Sequence, residues 1–315
     1  MRRTLLRLAG ALLGLVAVAI GGSFAWDMRQ AYARIRGKSR VIPTAYGDIE
    51  YAAGGAGIPV LVVHGGGGGF DQGRLLVDAL LGNDIRWIAP SRFGYLGSSM
   101  PDGATWDDQA AAFVALLDHL KIERVAVVAL SQGGPSALLL AAQYPERVSS
   151  LTCLSCGVVA SASADQAEAN KNGNMLRRVF SHDYTYWGIA KFFKPQLMRV
   201  LGASDAVVAG LTPEARGLVS RLIDEMNPAA PRSAGVVFDN TATLPGKRIA
   251  SIVAPTLIVH ARDDLLQLYH NAEFAAQKIP GARLMSFEAG GHVVVVVQQQ
   301  AVGEAVRAQV RTGWP

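Results

Sequence analysis

The stretch Val125-Ala-Val-Val-Ala-Leu-Ser131-Gln-Gly-Gly134 decides the fold, because an apolar run ends at a serine framed by small residues. Six small or β-prone apolar residues are typical of a strand buried on both faces. The residues Gly134–Gln143 suit a helix, in whose first turn Pro135 is tolerated. A serine between such a strand and helix occupies a tight turn that pushes its side chain out of the sheet edge. The stretch therefore predicts a nucleophilic serine, with a buried serine at a strand end as the alternative.

A nucleophilic serine needs a base, and the base needs a carboxylate that orients it. His292 is the best placed histidine, since the glycines before it let a loop carry the imidazole over the sheet edge. The carboxylate is expected after the preceding strand, where Asp263 and Asp264 are adjacent. Spacing from the strand end favours Asp264, although a single loop aspartate is more often a turn former or helix cap. The order Ser131, Asp264, His292 places each residue at the carboxyl end of a predicted parallel strand, where open α/β sheets bind ligands.

A glycine-rich loop after the strand 59–63 offers a place for developing negative charge. Glycines expose N–H groups and let the main chain approach a ligand closely. Gly66, the second residue past His64, and Gln132 are the predicted N–H donors to a tetrahedral oxyanion. A phosphate-binding loop is the alternative, but neither Gly-x-Gly-x-x-Gly opening a helix nor a Gly-Lys-Ser/Thr ending is present.

Strand-like runs alternate with helical stretches along most of the chain. The runs are residues 48–53, 60–63, 85–89, 125–130, 150–155, 256–260 and 282–287. Helical stretches such as 106–120 separate most of them. The alternation predicts an α/β fold, in which helices cover both faces of a mostly parallel sheet.

The alternation fails between residues 157 and 250, which predicts an inserted helical cap because a plain loop of this length is rare. Part of this segment is rich in aromatic residues: Phe180, Tyr184, Tyr186, Trp187, Phe192 and Phe193. Two interpretations stay open. The rings pack the cap onto the core, or some of them line an acyl or alcohol pocket over Ser131, which would favour apolar substrates.

Five motifs together resemble the α/β-hydrolase family over residues 41–312. They are His64-Gly65-Gly66, Ser91-Arg-Phe-Gly-Tyr-Leu-Gly-Ser98, Ala129-Leu-Ser131-Gln-Gly133, His260-Ala-Arg-Asp-Asp264 and Gly290-Gly-His292. The resemblance implies these roles: Ser131 as nucleophile, Asp264 as acid, His292 as base, and Gly66 with Gln132 as oxyanion donors. It also implies an antiparallel edge hairpin made by the first run or two.

The chain departs from the family pattern at Ala129 and Ala261, where glycine is usual. Alanine is small enough for both places if φ is negative. The nucleophile Ser131 excludes the branches that use aspartate, the haloalkane dehalogenases and epoxide hydrolases. The predicted function is a serine hydrolase that cleaves a carboxylic ester or related acyl bond through an acyl-enzyme. The alternatives are a non-catalytic, membrane-tethered binding module, or a peptidase, acyltransferase or carbon–carbon bond hydrolase.

The amino terminus carries a separate signal. Met1-Arg-Arg-Thr-Leu-Leu-Arg7 precedes nineteen uncharged residues, 8–26, which as a helix would span about 28 Å, close to the thickness of a bilayer core. The more apolar part, 8–20, has the length of a signal-peptide core, and Ser23-Phe-Ala25 offers a cleavage site. Residues 1–40 are therefore predicted to be a retained membrane anchor or a cleaved signal. Both place the hydrolase domain, 41–315, in the cell envelope.

Charge is concentrated at the same end of the chain. Through Arg40 there are eight Lys or Arg and one Asp, a net +7, so the remaining 22 basic and 24 acidic residues give −2. This balance predicts no nucleic-acid partner for the hydrolase domain. Cys153 and Cys156 have no second Cys/His cluster beside them, so no metal and no cofactor are expected. The expected partner is a small, apolar acyl substrate.

Overall fold

A single eight-stranded sheet forms the centre of the part of the chain that the computed structural model describes, residues 2–314. The strands are β1 (Arg40–Ile42), β2 (Ile49–Gly55), β3 (Ile58–Val63), β4 (Ile85–Pro90), β5 (Val125–Leu130), β6 (Val148–Leu154), β7 (Thr256–Ala261) and β8 (Arg283–Phe287). Their order across the sheet is β1-β2-β4-β3-β5-β6-β7-β8. The pairs β1–β2 and β2–β4 are antiparallel and the others are parallel. The predicted mostly parallel sheet and its antiparallel edge are confirmed.

The described helices are α1 (Arg2–Ile35), α2 (Phe70–Leu80), α3 (Trp106–His119), α4 (Gly134–Gln143), α5 (Ala164–Val179), α6 (Asp183–Phe192), α7 (Lys194–Val200), α8 (Asp205–Gly210), α9 (Pro213–Glu225), α10 (Ser233–Thr241), α11 (His270–Lys278), α12 (Val294–Val297) and α13 (Gln299–Arg311). Helices α2 and α13 pack on one face of the sheet, and α3, α4 and α11 pack on the other.

Strand β3 shows why the sheet takes helices on both faces. Val60 and Val62 join the hydrophobic cluster of α2 and α13, whereas Leu61 and Val63 join the cluster of α3 and α4. Successive side chains of a strand point to opposite faces, so a continuous apolar run needs a partner on each side. Together these contacts confirm the predicted three-layer α/β arrangement.

Helices α5 to α10 connect β6 to β7, which confirms the predicted helical insertion. The aromatic residues of this cap do not follow either interpretation as a group. Phe180 lines the cavity over Ser131. Tyr184 and Trp187 instead pack against Phe24 of α1. The pocket therefore uses only part of the aromatic segment.

Helix α1 is the predicted amino-terminal apolar helix, and it runs without a break through 34 residues. By length and composition it is able to cross a membrane. Its side chains are exposed from residue 3 to residue 19, whereas Met28 is buried against the cap.

Candidate active site

Ser131 lies directly after β5, at the start of the turn that leads into α4. Its φ of 51° is left-handed, a conformation that costs about 1–3 kcal/mol in a residue other than glycine and is concentrated at functional sites. Gly133 is needed in the same turn, since a Cβ there would lie 2.6 Å from the carbonyl oxygen of His64. The local geometry is that of a nucleophile elbow.

The two alanines that replace the usual glycines are accommodated. Ala129 lies inside β5 and Ala261 ends β7, and both are fully buried. Neither is among the residues with positive φ. Both positions therefore have the negative φ that alanine requires there.

The structure brings the three predicted residues into one hydrogen-bonded chain. His292 Nε2 lies 2.9 Å from Ser131 Oγ. His292 Nδ1 lies 2.8 Å from Asp264 Oδ2. Ser131 follows β5, Asp264 follows β7 and His292 follows β8. The carboxyl edge of the sheet therefore brings together residues from distant parts of the chain.

Asp264 is fully buried, and both oxygens of its carboxylate have hydrogen-bond partners. Its Oδ1 accepts hydrogen bonds from the amides of Leu266 and Gln267, both at 2.9 Å. Burial alone would raise the pKa of this carboxyl, but the charge of His292 and the hydrogen bonds from His260 and His292 outweigh it and hold the pKa well below the ordinary value. The ionised form therefore stabilises the fold above a pH of about 4, and this contribution is lost as the pH falls below that.

Asp263 contacts the loop that carries the histidine rather than the histidine itself. Its Oδ1 accepts from the Gly291 amide at 2.7 Å, and its Oδ2 accepts from the Gly290 amide at 3.3 Å. Gly290 and Gly291 both have positive φ, at 144° and 55°. The two adjacent carboxylates thus have different contacts. Asp264 contacts the imidazole of His292, and Asp263 accepts hydrogen bonds from the backbone of the two residues before His292.

The carbonyl of Gly65 is held by three donors. His64 Nδ1 lies 2.7 Å from it, Arg92 Nη2 3.2 Å and the Gly68 amide 3.2 Å. In a trans peptide the carbonyl and the following N–H point in opposite directions. The N–H of Gly66 is therefore fixed away from these donors, and among the described residues it donates to no protein atom. Gly66 and Gln132 are neighbours, because a Cβ on Gly66 would lie 3.9 Å from Gln132 Cγ.

His64 acts as a neutral donor in this arrangement. Its Nε2 accepts the backbone N–H of Arg92 at 2.9 Å, so the proton is on Nδ1 and points to Gly65. Complete burial, followed by the positive charge of Arg92, lowers the pKa of His64 well below its ordinary value. The ring accordingly stays neutral and keeps this tautomer.

A buried ion pair joins the loop after β4 to the cap. The guanidinium of Arg92 pairs with the carboxylate of Asp239 on α10, through Nη1–Oδ1 at 2.5 Å and Nη2–Oδ2 at 2.8 Å. Tyr95 donates its hydroxyl to Asp239 Oδ2 at 2.6 Å. This cluster could not be predicted from the sequence. Arg92 and Tyr95 lie in one of the quoted motifs without a role, and no pattern marks Asp239.

A cavity of about 120 Å³ lies beside Ser131 and His292, under the cap. Its apolar wall includes Leu176, Phe180, Met198, Ile223, Met226, Val295 and Val296. Its polar wall includes Gln72, Gln132, Asp239, Asn240 and Gln267. The described residues that line it include no lysine or arginine. The cavity thus offers apolar contact and hydrogen bonds, but no positive charge for a substrate anion.

Neither cysteine forms part of this site. Cys153 and Cys156 are free and buried. Within residues 2–314, no group of three or more His, Cys, Asp or Glu side chains is arranged to hold a metal ion.

Comparison with known proteins places this geometry in a family. The family model for the alpha/beta hydrolase fold matches residues 58–298. The chain is 30% identical over 266 residues to the uncharacterised hydrolase YcgS of Bacillus subtilis, covering 81% of this chain and 92% of that protein. It is 29% identical over 253 residues to 2-hydroxymuconate semialdehyde hydrolase of Pseudomonas putida, covering 76% and 82% respectively.

A solved structure of the same fold is also similar to this chain. The alpha/beta hydrolase fold protein from Nakamurella multipartita is 28% identical and superposes with a TM-score of 0.69, covering 87% of this chain and 99% of that one. The family model covers more than half of the chain, and the relative from Bacillus subtilis is 30% identical over most of both chains. The protein belongs to the alpha/beta hydrolase family.

Proposed function

We propose that the protein is a serine hydrolase that cleaves a carboxylic ester or a related acyl bond through an acyl-enzyme. The observation that carries this proposal is the continuous hydrogen-bonded chain from Ser131 Oγ through His292 to Asp264, with distances of 2.9 and 2.8 Å. Nucleophile, base and orienting carboxylate in this order are the parts that acyl transfer requires.

In the proposed reaction Ser131 Oγ attacks the carbonyl carbon while His292 Nε2 takes the hydroxyl proton. The same imidazole then protonates the leaving alcohol, and the acyl group remains on Ser131. A water molecule, deprotonated by His292, then attacks the acyl carbon, and His292 returns that proton to Ser131 Oγ as the acid leaves. Asp264 holds the Nδ1–H tautomer of His292 and stabilises the imidazolium.

We propose the N–H groups of Gly66 and Gln132 as the donors to the tetrahedral oxyanion. Gly66 supports this role, because its N–H is directed by the three hydrogen bonds to the Gly65 carbonyl. Arg92 and His64 act as positioning residues, since they hold that carbonyl. A preorganised donor is most effective when it does not reorient as charge develops.

The wall of the cavity favours a neutral, apolar acyl group. A carboxylate buried among Leu176, Phe180 and Met198 would lack a counter-charge, because Arg92 is already paired with Asp239. This point bears on the second candidate, carbon–carbon bond hydrolysis, which the 2-hydroxymuconate semialdehyde hydrolase of Pseudomonas putida favours. The substrate that names that enzyme is an acid, so we place ester hydrolysis first.

Matched substrates test this choice. We expect p-nitrophenyl butyrate to be hydrolysed with a kcat/KM about 10²-fold above that of p-nitrophenyl hemisuccinate, which has a similar length but ends in a carboxylate. Equal or reversed rates would contradict the apolar acyl site. Turnover of 2-hydroxymuconate semialdehyde without turnover of either ester would favour the carbon–carbon bond hydrolase. A folded protein inert towards all three would favour the non-catalytic, membrane-tethered binding module.

We further propose that α1 is a retained membrane anchor and that the hydrolase domain lies in the cell envelope. Signal cleavage after Ala25 is the alternative. The helix continues through Ser23-Phe-Ala25, and the Phe24 ring lies 5.6 Å from Tyr184 and 5.3 Å from Trp187 between centroids. Cleavage after Ala25 would remove Phe24 and with it this contact to the cap. A mature chain that begins near Trp26 would contradict retention.

A further inference from the structure

Exposed aromatic side chains lie on α1, where its apolar segment ends, and on or directly after α6, which packs against it. Trp26 on α1 is 64% exposed, Tyr184 on α6 63%, and Phe193 just after α6 55%. Phe192 is exposed as well. We call these four residues the aromatic collar. Large rings that remain exposed as a group indicate a surface with a binding partner.

The collar is continuous with the core of the α1–α6 contact. The ring of Phe24 packs edge-on against Tyr184 and Trp187. Trp187 in turn packs against Phe192, with centroids 5.7 Å apart. Helix α6 therefore crosses α1 at the level of residues 24–27, at the end of the uncharged stretch 8–26.

Polar contacts fix this crossing. Asp27 Oδ2 accepts from Trp187 Nε1 at 2.8 Å and from Lys191 Nζ at 2.9 Å. Further along α1, Tyr32 donates its hydroxyl to Asp183 Oδ2 at 2.8 Å. The two contacts to α6 are separated by more than a turn of α1, so they hold both the position and the direction of the helix.

A partly buried charge cluster continues the attachment of α1 beyond α6. Arg34 Nη1 pairs with Asp71 Oδ2 at 2.7 Å, and Arg34 Nη2 donates to the carbonyls of Glu225 and Asn227, both at 2.6 Å. Asp71 also pairs with the buried Arg232 of the cap. The amino-terminal helix is thus a rigid extension of the folded domain and not a flexible tether.

We propose that the aromatic collar is a second membrane contact, which seats the cap in the interfacial layer of the lipid bilayer. This proposal rests on the proposed retention of α1 as an anchor. Once residues 8–26 span the apolar core, the collar lies at the depth of the headgroups. Tryptophan and tyrosine favour this depth, since their rings are apolar and their polar atoms reach water. Rigid attachment then gives the hydrolase domain one orientation relative to the membrane.

Probes on single introduced cysteines test the proposal in the full-length chain, reconstituted into phosphatidylcholine–phosphatidylglycerol vesicles. The environment-sensitive fluorophore NBD is attached to Tyr184→Cys or to Phe193→Cys. Phe193 has no aromatic stacking partner among the described residues, so its replacement leaves the α1–α6 contact intact. The native Cys153 and Cys156 are buried, and wild type treated in the same way gives the blank.

Two further positions serve as controls. Val253 is 73% exposed and lies just before β7, at the amino-terminal edge of the sheet, opposite the edge that carries Ser131. Leu13 is 70% exposed in the apolar part of α1. A probe at Leu13→Cys reports on the anchor, and a probe at Val253→Cys reports on an exposed aliphatic site outside the membrane.

We expect lipids that carry a nitroxide near the headgroup to remove about half or more of the fluorescence at positions 184 and 193 and to leave position 253 unchanged. Position 13 is tested with lipids that carry the nitroxide on the acyl chain, because a probe there lies inside the apolar core. Quenching at position 13 by these lipids, without quenching at 184 and 193 by the headgroup nitroxide, would overturn the collar proposal and leave the anchor standing. No quenching at position 13 by the acyl-chain nitroxide would overturn the anchor itself. A blue shift of the NBD emission at 184 and 193 without lipid quenching would indicate that a second copy of the protein covers the collar. It would overturn the proposed membrane contact.

Discussion

Asp264→Asn should lower kcat by roughly 10⁴-fold, as expected when the imidazole of a catalytic triad loses its orienting carboxylate. The reason is the 2.8 Å contact between Asp264 Oδ2 and His292 Nδ1. An amide at this position can present an N–H to Nδ1, which selects the tautomer with its proton on Nε2. That tautomer cannot accept the proton of Ser131. Steady-state kinetics with p-nitrophenyl butyrate measure the loss.

Asp263→Asn is the matched control, because it makes the same chemical change one residue away. The new side chain keeps one oxygen that can accept the N–H of Gly291, so the loop that carries His292 should stay in place. We expect a loss of kcat of about tenfold or less. If Asp263→Asn proved the more damaging change, Asp263 and not Asp264 would be the orienting acid.

Arg92→Lys should lower kcat by about 10²-fold while KM stays within a few-fold, similar to the removal of an oxyanion donor. Lysine keeps the positive charge beside Asp239 but cannot donate to Asp239, His64 and Gly65 together, as the guanidinium does. The Gly65 carbonyl would then lose one of its three hydrogen-bond donors, and the Gly65–Gly66 peptide would be less well fixed. Because the oxyanion exists only in the transition state, the loss should appear in kcat rather than KM.

Tyr95→Phe separates this effect from damage to the buried cluster. It removes the hydroxyl that donates to Asp239 at 2.6 Å, but it leaves the contact between Arg92 and Gly65. We expect kcat to change only a few-fold, with thermal unfolding recorded for both variants. A rise in KM at unchanged kcat in Arg92→Lys would show that Arg92 acts on substrate binding and not on the oxyanion donor.

The sharp turn at Ser131 could be predicted from the sequence because its signals are local. An apolar run that ends at Ser131, with small residues around it, specifies a buried strand and a tight turn without reference to the rest of the chain. The interior strands were placed to within two residues for the same reason. Strand β1 was not predicted, since it has three residues of which only Ile42 is buried.

The surroundings of the site could not be predicted, because they depend on contacts between distant residues. Arg92 and Asp239 are 147 positions apart, and no periodic pattern links a sheet-edge arginine to an aspartate in a cap helix. Spacing from the end of the strand favours Asp264 over Asp263, and Asp264 is the carboxylate that contacts His292 Nδ1. The role of Asp263 could not be predicted from spacing, because its hydrogen bonds from the amides of Gly290 and Gly291 exist only after the loop folds back.

Covalent labelling by a fluorophosphonate probe tests the central claim most directly. The serine oxygen displaces fluoride from phosphorus, which forms a stable phosphonyl ester at the activated nucleophile. We predict a single label on the folded full-length chain, located by peptide mass spectrometry on Ser131 and absent from Ser131→Ala. A folded wild-type chain that stays unlabelled, or a Ser131→Ala variant that still hydrolyses p-nitrophenyl butyrate at the wild-type rate, would contradict the account.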